Sequence, residues 1–153
     1  MLTAVTVTAG AAHGQSIRGV VRDPTGLVAG ASVRLTYFAT AECQEIGTRT
    51  AQLAPAEQAK LKTCMRAIPS VKTDAKGAYN VSKLKPGWYL VSISWRLAAR
   101  PAQAFANTHR DGFTIVVTET PGTPPRYTLS ALGDKAFELK SGFNATRDFN
   151  YKP

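Results

Sequence analysis

The segment Trp88–Trp95 constrains the fold more than any other part of the chain. In its sequence, WYLVSISW, the side chains of Tyr89, Val91 and Ile93 fall on one side of an extended backbone. The intervening residues fall on the other side: Trp88, Leu90, Ser92 and Ser94. An alternation with period two is typical of a β-strand that buries one face, so this segment predicts the strongest strand of the chain.

Several other segments predict strands. Ala31–Phe38 alternates in the same way, with Val33, Leu35 and Tyr37 on one face. The remaining strand candidates are Ser16–Arg22, Ala78–Ser82, Phe113–Glu119 and Tyr127–Ala131, and a C-terminal hairpin is predicted from Ala136–Lys140 and Ala145–Tyr151, with Phe149 and Tyr151 on one face. Turn sequences ending in glycine separate them at Asp23–Gly26, Asp74–Gly77 and Leu84–Gly87. The pattern indicates an all-β chain.

Residues 39–68 interrupt the β pattern. Within them, 55–67 predicts one helical insertion, because Pro55 suits a first helical position and Pro69 prevents continuation. Leu61, Cys64, Met65 and Ile68 recur at helical spacing, which predicts an apolar face turned towards the domain.

Two cysteines, Cys43 and Cys64, flank this excursion. A bridge between them would close a loop of about twenty residues and stabilise the fold by ~3 kcal/mol in the chain-entropy model. The alternative is a pair of buried free thiols. We expect the disulfide if the protein is exported, because oxidising compartments preserve such bonds.

The N-terminal residues 1–15 allow two interpretations. Their small, uncharged side chains resemble the end of a secretory signal peptide, either a short one or one that starts upstream. The alternation of Val and Thr over Ala4–Ala9 instead predicts an N-terminal strand. No run of about twenty apolar residues occurs, so no transmembrane helix is expected.

Four segments carry a resemblance to a known family: Ile17–Gly26, Ala29–Leu35, Thr73–Tyr79 and Leu84–Val91. In this order they resemble the carboxypeptidase regulatory-like domain family, which is related to Cna B-type and prealbumin-like domains. The resemblance covers roughly half of the chain. It implies an Ig-like or prealbumin-like antiparallel β-sandwich of about seven or more strands. Residues 16–153 would form this single domain, with insertions at 39–68 and 97–134 on which a particular function is built.

The net charge of +9 is spread along the chain. Residues 1–82 carry nine Lys/Arg and five Asp/Glu, and residues 83–153 carry ten and five. No basic run with interleaved aromatic residues is present, so we expect no nucleic-acid partner. An acidic partner, such as an anionic glycan, a lipid headgroup or an acidic protein face, is compatible with the charge.

Catalytic and metal-binding patterns are missing from the sequence. The only histidines are His13 and His109, and neither has a second ligand at metal spacing. Two enzyme families share this general sandwich architecture. Intradiol dioxygenases need paired Tyr and His ligands for iron, which two scattered histidines do not supply. Hydroxyisourate hydrolases end in a Tyr-Arg-Gly-Ser motif, which Asn150–Pro153 lacks. We therefore expect no enzyme activity, no cofactor and no metal.

These observations favour a non-catalytic, extracytoplasmic module that works by contact. The leading hypothesis is a structural or assembly subunit, or a protein-binding accessory domain, of an envelope or extracellular complex. The alternative is a carbohydrate-binding module that stacks a sugar on Trp88 or Trp95, the two ligand-contact candidates. The sequence favours a structural role for these two residues, in which both tryptophans cap the core. The alternative predicts an exposed tryptophan beside a shallow polar groove, whereas assembly predicts exposed apolar edges or loops.

Overall fold

The computed structural model describes residues 6–9, 15–49, 52–97, 108–110 and 112–151, with the backbone alone for 6–9 and 108–110. The described strands form two facing sheets. The small sheet contains β1 (Thr6–Ala9), β2 (Gln15–Asp23), β3 (Gly26–Leu27), β7 (Ala78–Leu84), β13 (Phe143–Thr146) and β14 (Phe149–Asn150). The large sheet contains β4 (Ser32–Phe38), β5 (Met65–Ala67), β6 (Val71–Lys72), β8 (Gly87–Leu97), β9 (Thr108–Arg110), β10 (Phe113–Thr120), β11 (Arg126–Gly133) and β12 (Phe137–Leu139). Two helices, α1 (Ala41–Gly47) and α2 (Pro55–Cys64), lie between β4 and β5.

The hydrophobic core lies between the two sheets. The small sheet contributes Ile17, Val81 and Phe149, and the large sheet contributes Leu35 and Ile93, all of them buried. These residues occupy alternate positions of their strands, as expected of sheets that bury one face each. The predicted all-β sandwich is thus confirmed, and the inward faces predicted for β4 and β8 are the buried ones.

Strand pairing is antiparallel except along β2, which pairs in parallel with β13 and β14. β1 pairs antiparallel with β13, in agreement with the strand interpretation of the N-terminal segment. The turn glycines Gly26, Gly77 and Gly87 all have positive φ. At Gly77 a Cβ would also come within 2.6 Å of the Val21 carbonyl oxygen, so only glycine fits there.

The helix predicted over 55–67 is too long. α2 ends at Cys64, and Met65–Ala67 form β5, which pairs with the edge of β4. The Ala39 amide donates to the Cys64 carbonyl at 3.0 Å, which fixes the point where the helix gives way to the strand. α2 contains no buried residue, so the predicted apolar face is wrong as well. Backbone pairing with the sheet replaces the expected side-chain packing.

The sequence interpretation missed α1. Thr40 caps this helix, because its Oγ1 accepts a hydrogen bond from the Cys43 amide at 3.1 Å, and Glu42 occupies the first turn. The disulfide joins Cys43 on α1 to Cys64 at the end of α2, so the predicted bridge is present in the structure. The two helices are therefore tied together at one end of the large sheet.

The predicted C-terminal hairpin is wrong. β12 pairs with β8 in the large sheet, whereas β13 pairs with β1 and β2 in the small sheet. The turn at Ser141–Gly142 therefore carries the chain from one sheet to the other. Phe149 and Tyr151 are both buried, as their shared face predicted. The segment 97–134, expected to be an insertion, supplies β10 and β11, which pair along their full length.

Within the described residues, neither helix is long and apolar enough to cross a membrane.

Candidate ligand-binding surface

β8 runs through the middle of the large sheet, between β4 and β11, and its two sides differ sharply. The inward side chains are buried in the core: Tyr89, Val91, Ile93 and Trp95. The outward side chains are half-buried or exposed: Trp88, Leu90, Ser92, Ser94 and Arg96. We call the side of the large sheet that points away from the small sheet the outer face.

The strand register brings four serines together on the outer face. Ser94 of β8 lies directly opposite Ser32 of β4 and Ser130 of β11. The neighbouring row places Ser92 between Arg34 and Leu132. Directly opposed residues in antiparallel strands have Cβ atoms about 5 Å apart, so the serines form a continuous patch over three strands.

This patch is concave. Because serine side chains are short while the flanking Arg34 and Leu132 are long, a depression of about 220 Å³ forms over the strands. Its lining residues are Ser32, Arg34, Ser92, Ile93, Ser94, Ser130 and Leu132. We call it the serine depression.

The hydroxyl groups of the serine depression are available to a ligand. Across the described part of the chain, the side chains of Ser32, Ser92, Ser94 and Ser130 make no hydrogen bond. Each hydroxyl can donate one hydrogen bond and accept two. The site therefore offers neutral donors and acceptors, next to one guanidinium and one aliphatic side chain.

The two tryptophans predicted to contact a ligand lie on opposite sides of β8. Trp95 is 6% exposed and packs in the core, with its ring 5.8 Å from that of Phe149 and 6.5 Å from that of Tyr151. Its ring faces are therefore not open for stacking on a sugar. Trp88 is half-buried on the outer face, opposite Phe38 on β4 and Glu138 on β12.

The helical insertion covers the Trp88 end of the outer face. Phe38 points outward but is buried, as are Cys43 and Ile46 of α1. Gly47 lies so close to the Phe38 ring that a Cβ there would approach a ring carbon to 2.3 Å. These residues form a second, smaller apolar cluster outside the main core. The outer face thus has a covered end around Trp88 and an open end around Ser94.

Two larger concavities flank the sandwich. One of about 770 Å³ lies at the β10–β11 turn and is lined by Arg96, Leu97 and residues 120–127, including the cis Thr123–Pro124 bond. The other, of about 520 Å³, lies on the small sheet and includes Asp74 and Asp148. Both of those carboxylates already accept backbone hydrogen bonds, Asp148 from Val20 and Asp74 from Lys76 and Ala78.

Asp74, Tyr79 and Tyr89 have shifted pKa values because of backbone hydrogen bonds or burial. The backbone amides of Ala78 and Lys76 lower the pKa of Asp74. The Gly77 amide donates to the Asp74 carbonyl at 2.9 Å, which confirms the predicted turn. Burial raises the pKa of Tyr89 to about 12, and the Tyr89 hydroxyl donates to the Lys85 carbonyl. Burial also raises the pKa of Tyr79.

The described ranges contain no group of three or more His, Cys, Asp or Glu side chains that could hold a metal ion. His109 lies in β9, opposite Thr114, and His13 lies outside the described residues.

Comparisons with known proteins do not assign the chain to a family. No family model and no curated protein matches the sequence. Among solved structures, the chain is similar to a Pseudomonas aeruginosa protein described as a "putative carbohydrate binding protein", with a TM-score of 0.40 and 14% sequence identity. The match covers 94% of this chain and 92% of the other.

The sequence interpretation missed the serine depression, although part of its pattern was visible. Ser92 and Ser94 stand at alternating outward positions of the strongest predicted strand, where they signal a polar outer face. Ser32 and Ser130 join them only through the pairing of β8 with β4 and β11, because register brings residues distant in sequence to the same row.

Proposed function

We propose that the protein is a non-catalytic binding module that holds a saccharide in the serine depression. The observation that carries the proposal is the cluster of four hydroxyls without hydrogen-bond partners at the centre of an open sheet face. A sugar presents hydroxyl groups that match such a surface, and its apolar ring face can rest on Leu132, which is 46% exposed.

The distribution of exposed apolar side chains favours this function over a hydrophobic assembly surface. In the described part of the chain, the exposed large hydrophobic residues are Leu27, Met65, Leu132 and Phe143. They stand on four different strands, β3, β5, β11 and β13. Stable apolar interfaces need a contiguous patch, and scattered residues do not supply one.

We also propose that the protein works outside the cytoplasm and belongs to the carboxypeptidase regulatory-like domain family. The Cys43–Cys64 bond supports the location, because oxidising compartments preserve disulfides. The two-sheet architecture and the turn glycines support the family. The absence of catalytic activity remains part of the proposal.

Substitutions at Ser94 test the saccharide site, because this residue lies between Ser32 and Ser130. The wild-type protein should bind members of a glycan array. Ser94→Ala removes one hydroxyl and should weaken the binding of the best glycan roughly threefold to tenfold, the value of one net hydrogen bond. Ser94→Leu fills the depression and should abolish binding. Isothermal titration calorimetry measures both effects.

The matched controls are Ser82→Ala and Ser82→Leu, at an exposed position of β7 in the small sheet. They should leave glycan affinity unchanged, and all four variants should retain the β-sheet circular dichroism spectrum. A wild-type protein that binds no glycan, or a Ser94→Leu variant that binds as tightly as wild type, would overturn the proposal.

Self-assembly is a second candidate, supported by one feature of the small sheet. Among the described strands, β7 is seven residues long and pairs only with β2, so its other edge is open. Such an edge can add a strand from another chain. Sedimentation velocity over a hundredfold range of protein concentration should then reveal a dimer or polymer, whereas a monomer at every concentration would exclude self-assembly.

A further inference from the structure

We infer that the ligand of the outer face is an anionic saccharide, held by the guanidinium groups of Arg34 and Arg96 on either side of the serines. This inference rests on the proposed function and adds the chemical class of the sugar.

Cations gather on the outer face. Arg34 on β4 and Arg96 on β8 both point outward and are exposed. Lys72 of β6 stands opposite Ser32, and Arg126 of β11 stands opposite Thr120. The register places Arg34 and Lys72 in the two rows of the serine depression and Arg96 in the next outward row, and Arg126 stands one outward row further.

These four cations have no carboxylate partner among the described residues. The ion pairs of the described chain are Arg49–Glu57 and Lys60–Glu42, and both lie within the helical insertion. Glu42 and Glu57 are thus paired with cations of the insertion itself and not with those of the outer face. The cations of the outer face are left to attract a ligand.

The carboxylates of the outer face lie away from the cations. Glu138 stands opposite Trp88, at the covered end. Asp134 follows β11 and receives a hydrogen bond from Thr114. Thr114 stands in the row of Leu132 and Ser92, so the Asp134 carboxylate lies beyond the Leu132 edge of the depression, three strands from Arg34. Among the described side chains, the rows of Ser94 and Arg96 contain hydroxyl groups and positive charge but no carboxylate.

The spacing of the two arginines favours an extended ligand over a single small anion. Arg34 lies opposite Ser92, and Arg96 lies four residues further along β8, which corresponds to about 13 Å of strand. Two backbone positions this far apart leave room for an extended ligand with one acidic group at each arginine. A guanidinium binds a carboxylate or a sulfate through two parallel hydrogen bonds. Ser92 lies beside Arg34, and Ser94 lies between the rows of the two arginines, where both can bind neutral hydroxyls.

The pattern fits a saccharide better than a nucleic acid. Single-stranded nucleic acids need aromatic side chains on which their bases stack. On β8 the outward aromatic residue is Trp88, which lies at the covered end, and the side chains around Arg34 and Arg96 are hydroxyls. Hydroxyl groups flanked by cations match an acidic sugar chain.

Four soluble probes of similar length test the inference: a heparin hexasaccharide carrying sulfates, a hexagalacturonate carrying carboxylates, neutral maltohexaose, and a single-stranded hexathymidylate. Calorimetry at low and at physiological salt should show at least one acidic saccharide binding tenfold or more tightly than maltohexaose. Its affinity should fall as salt rises, because salt screens exposed charges. The two acidic saccharides identify which anionic group is preferred.

Arg34→Gln and Arg96→Gln should each weaken the binding of the acidic saccharide about tenfold and reduce its salt dependence. Arg22→Gln is the matched control, since Arg22 is exposed on β2 in the small sheet and its loss changes the net charge equally. This control should leave the affinity within twofold of wild type.

Four outcomes would overturn the inference. Equal binding of maltohexaose and the acidic saccharides would leave the saccharide site in place but remove its preference for anions. Equal losses for Arg22→Gln and Arg34→Gln would show an effect of net charge alone. Tighter binding of hexathymidylate would indicate a nucleic-acid partner. If no saccharide binds at all, the proposed function fails together with the inference.

Discussion

The inward and outward side chains of β8 share one backbone but meet different environments. Tyr89, Val91 and Ile93 pack against the small sheet and are almost fully buried. Ser92 and Ser94, interleaved with them, line an open depression, and their side chains make no hydrogen bond within the described structure. Alternate residues of one strand therefore have different roles: the inner set specifies the fold, and the outer set forms the proposed binding surface.

The largest expected effect is on the free energy of unfolding, which substitutions on the inward and outward sides of β8 should change by different amounts. Ile93→Ala removes buried methyl and methylene groups from the core and should lower the free energy of unfolding by about 2–5 kcal/mol. Ser92→Ala, the adjacent outward change, should alter it by less than about 0.5 kcal/mol. Urea denaturation followed by circular dichroism measures both values. Similar losses for the two variants would contradict the division of β8 into a folding side and a binding side.

A second prediction concerns the covered and open ends of the outer face. Replacing both Cys43 and Cys64 by Ala should lower the free energy of unfolding by about 3 kcal/mol, because the unfolded chain regains the freedom of a loop of about twenty residues. The loss should loosen α1 above Phe38 and increase the solvent exposure of Trp88. It should spare the serine depression, which α1 and α2 do not line.

Hydrogen exchange measures this difference between the two ends. Amides of α1 and α2 should exchange faster in the double variant than in the wild type. The exchange rates of the β8 and β11 amides should keep the same ranking in both proteins. Saccharide affinity should stay within about twofold of wild type. A loss of binding as large as that of Ser94→Leu would show that the two ends of the outer face are not independent.

The smallest expected effect comes from one outward substitution that should stabilise the fold but weaken saccharide binding. Ser92→Val places a β-branched side chain on the strand and should stabilise the fold by a few tenths of a kcal/mol. The same change removes a hydroxyl and narrows the depression, so it should weaken saccharide binding. Thermal unfolding and calorimetry on the same sample check the two signs. Improved binding in this variant would mean that the serine hydroxyls do not contact the ligand.

The sequence was sufficient for features that depend on local periodicity. The alternation in Ala31–Phe38 and Trp88–Trp95 predicted β4 and β8 with the correct buried faces. The helix start at Pro55 was also predicted correctly, because the signals at a helix N-terminus are local.

Features that depend on distant pairing escaped the sequence interpretation. Met65–Ala67 leave the helix because β4 offers an unpaired edge, which periodicity does not reveal. Phe137–Leu139 pair with β8 instead of with the next segment of the chain, so the predicted hairpin does not form. The serine depression, the proposed binding surface, was missed for the same reason, since Ser32, Ser94 and Ser130 meet only through register. The two tryptophans were ligand-contact candidates because aromatic rings can stack on sugars, yet Trp95 belongs to the core.

The most direct test of the central claim maps the bound saccharide on the two faces. In a titration of ¹⁵N-labelled protein with the best-binding saccharide, amide chemical shifts of Ser32, Ser94 and Ser130 should change in proportion to the bound fraction. Those of Ser82 and Arg22 in the small sheet should stay constant. Shift changes confined to the small sheet, or to the free edge of β7, would contradict the assignment of the outer face of the large sheet as the binding surface.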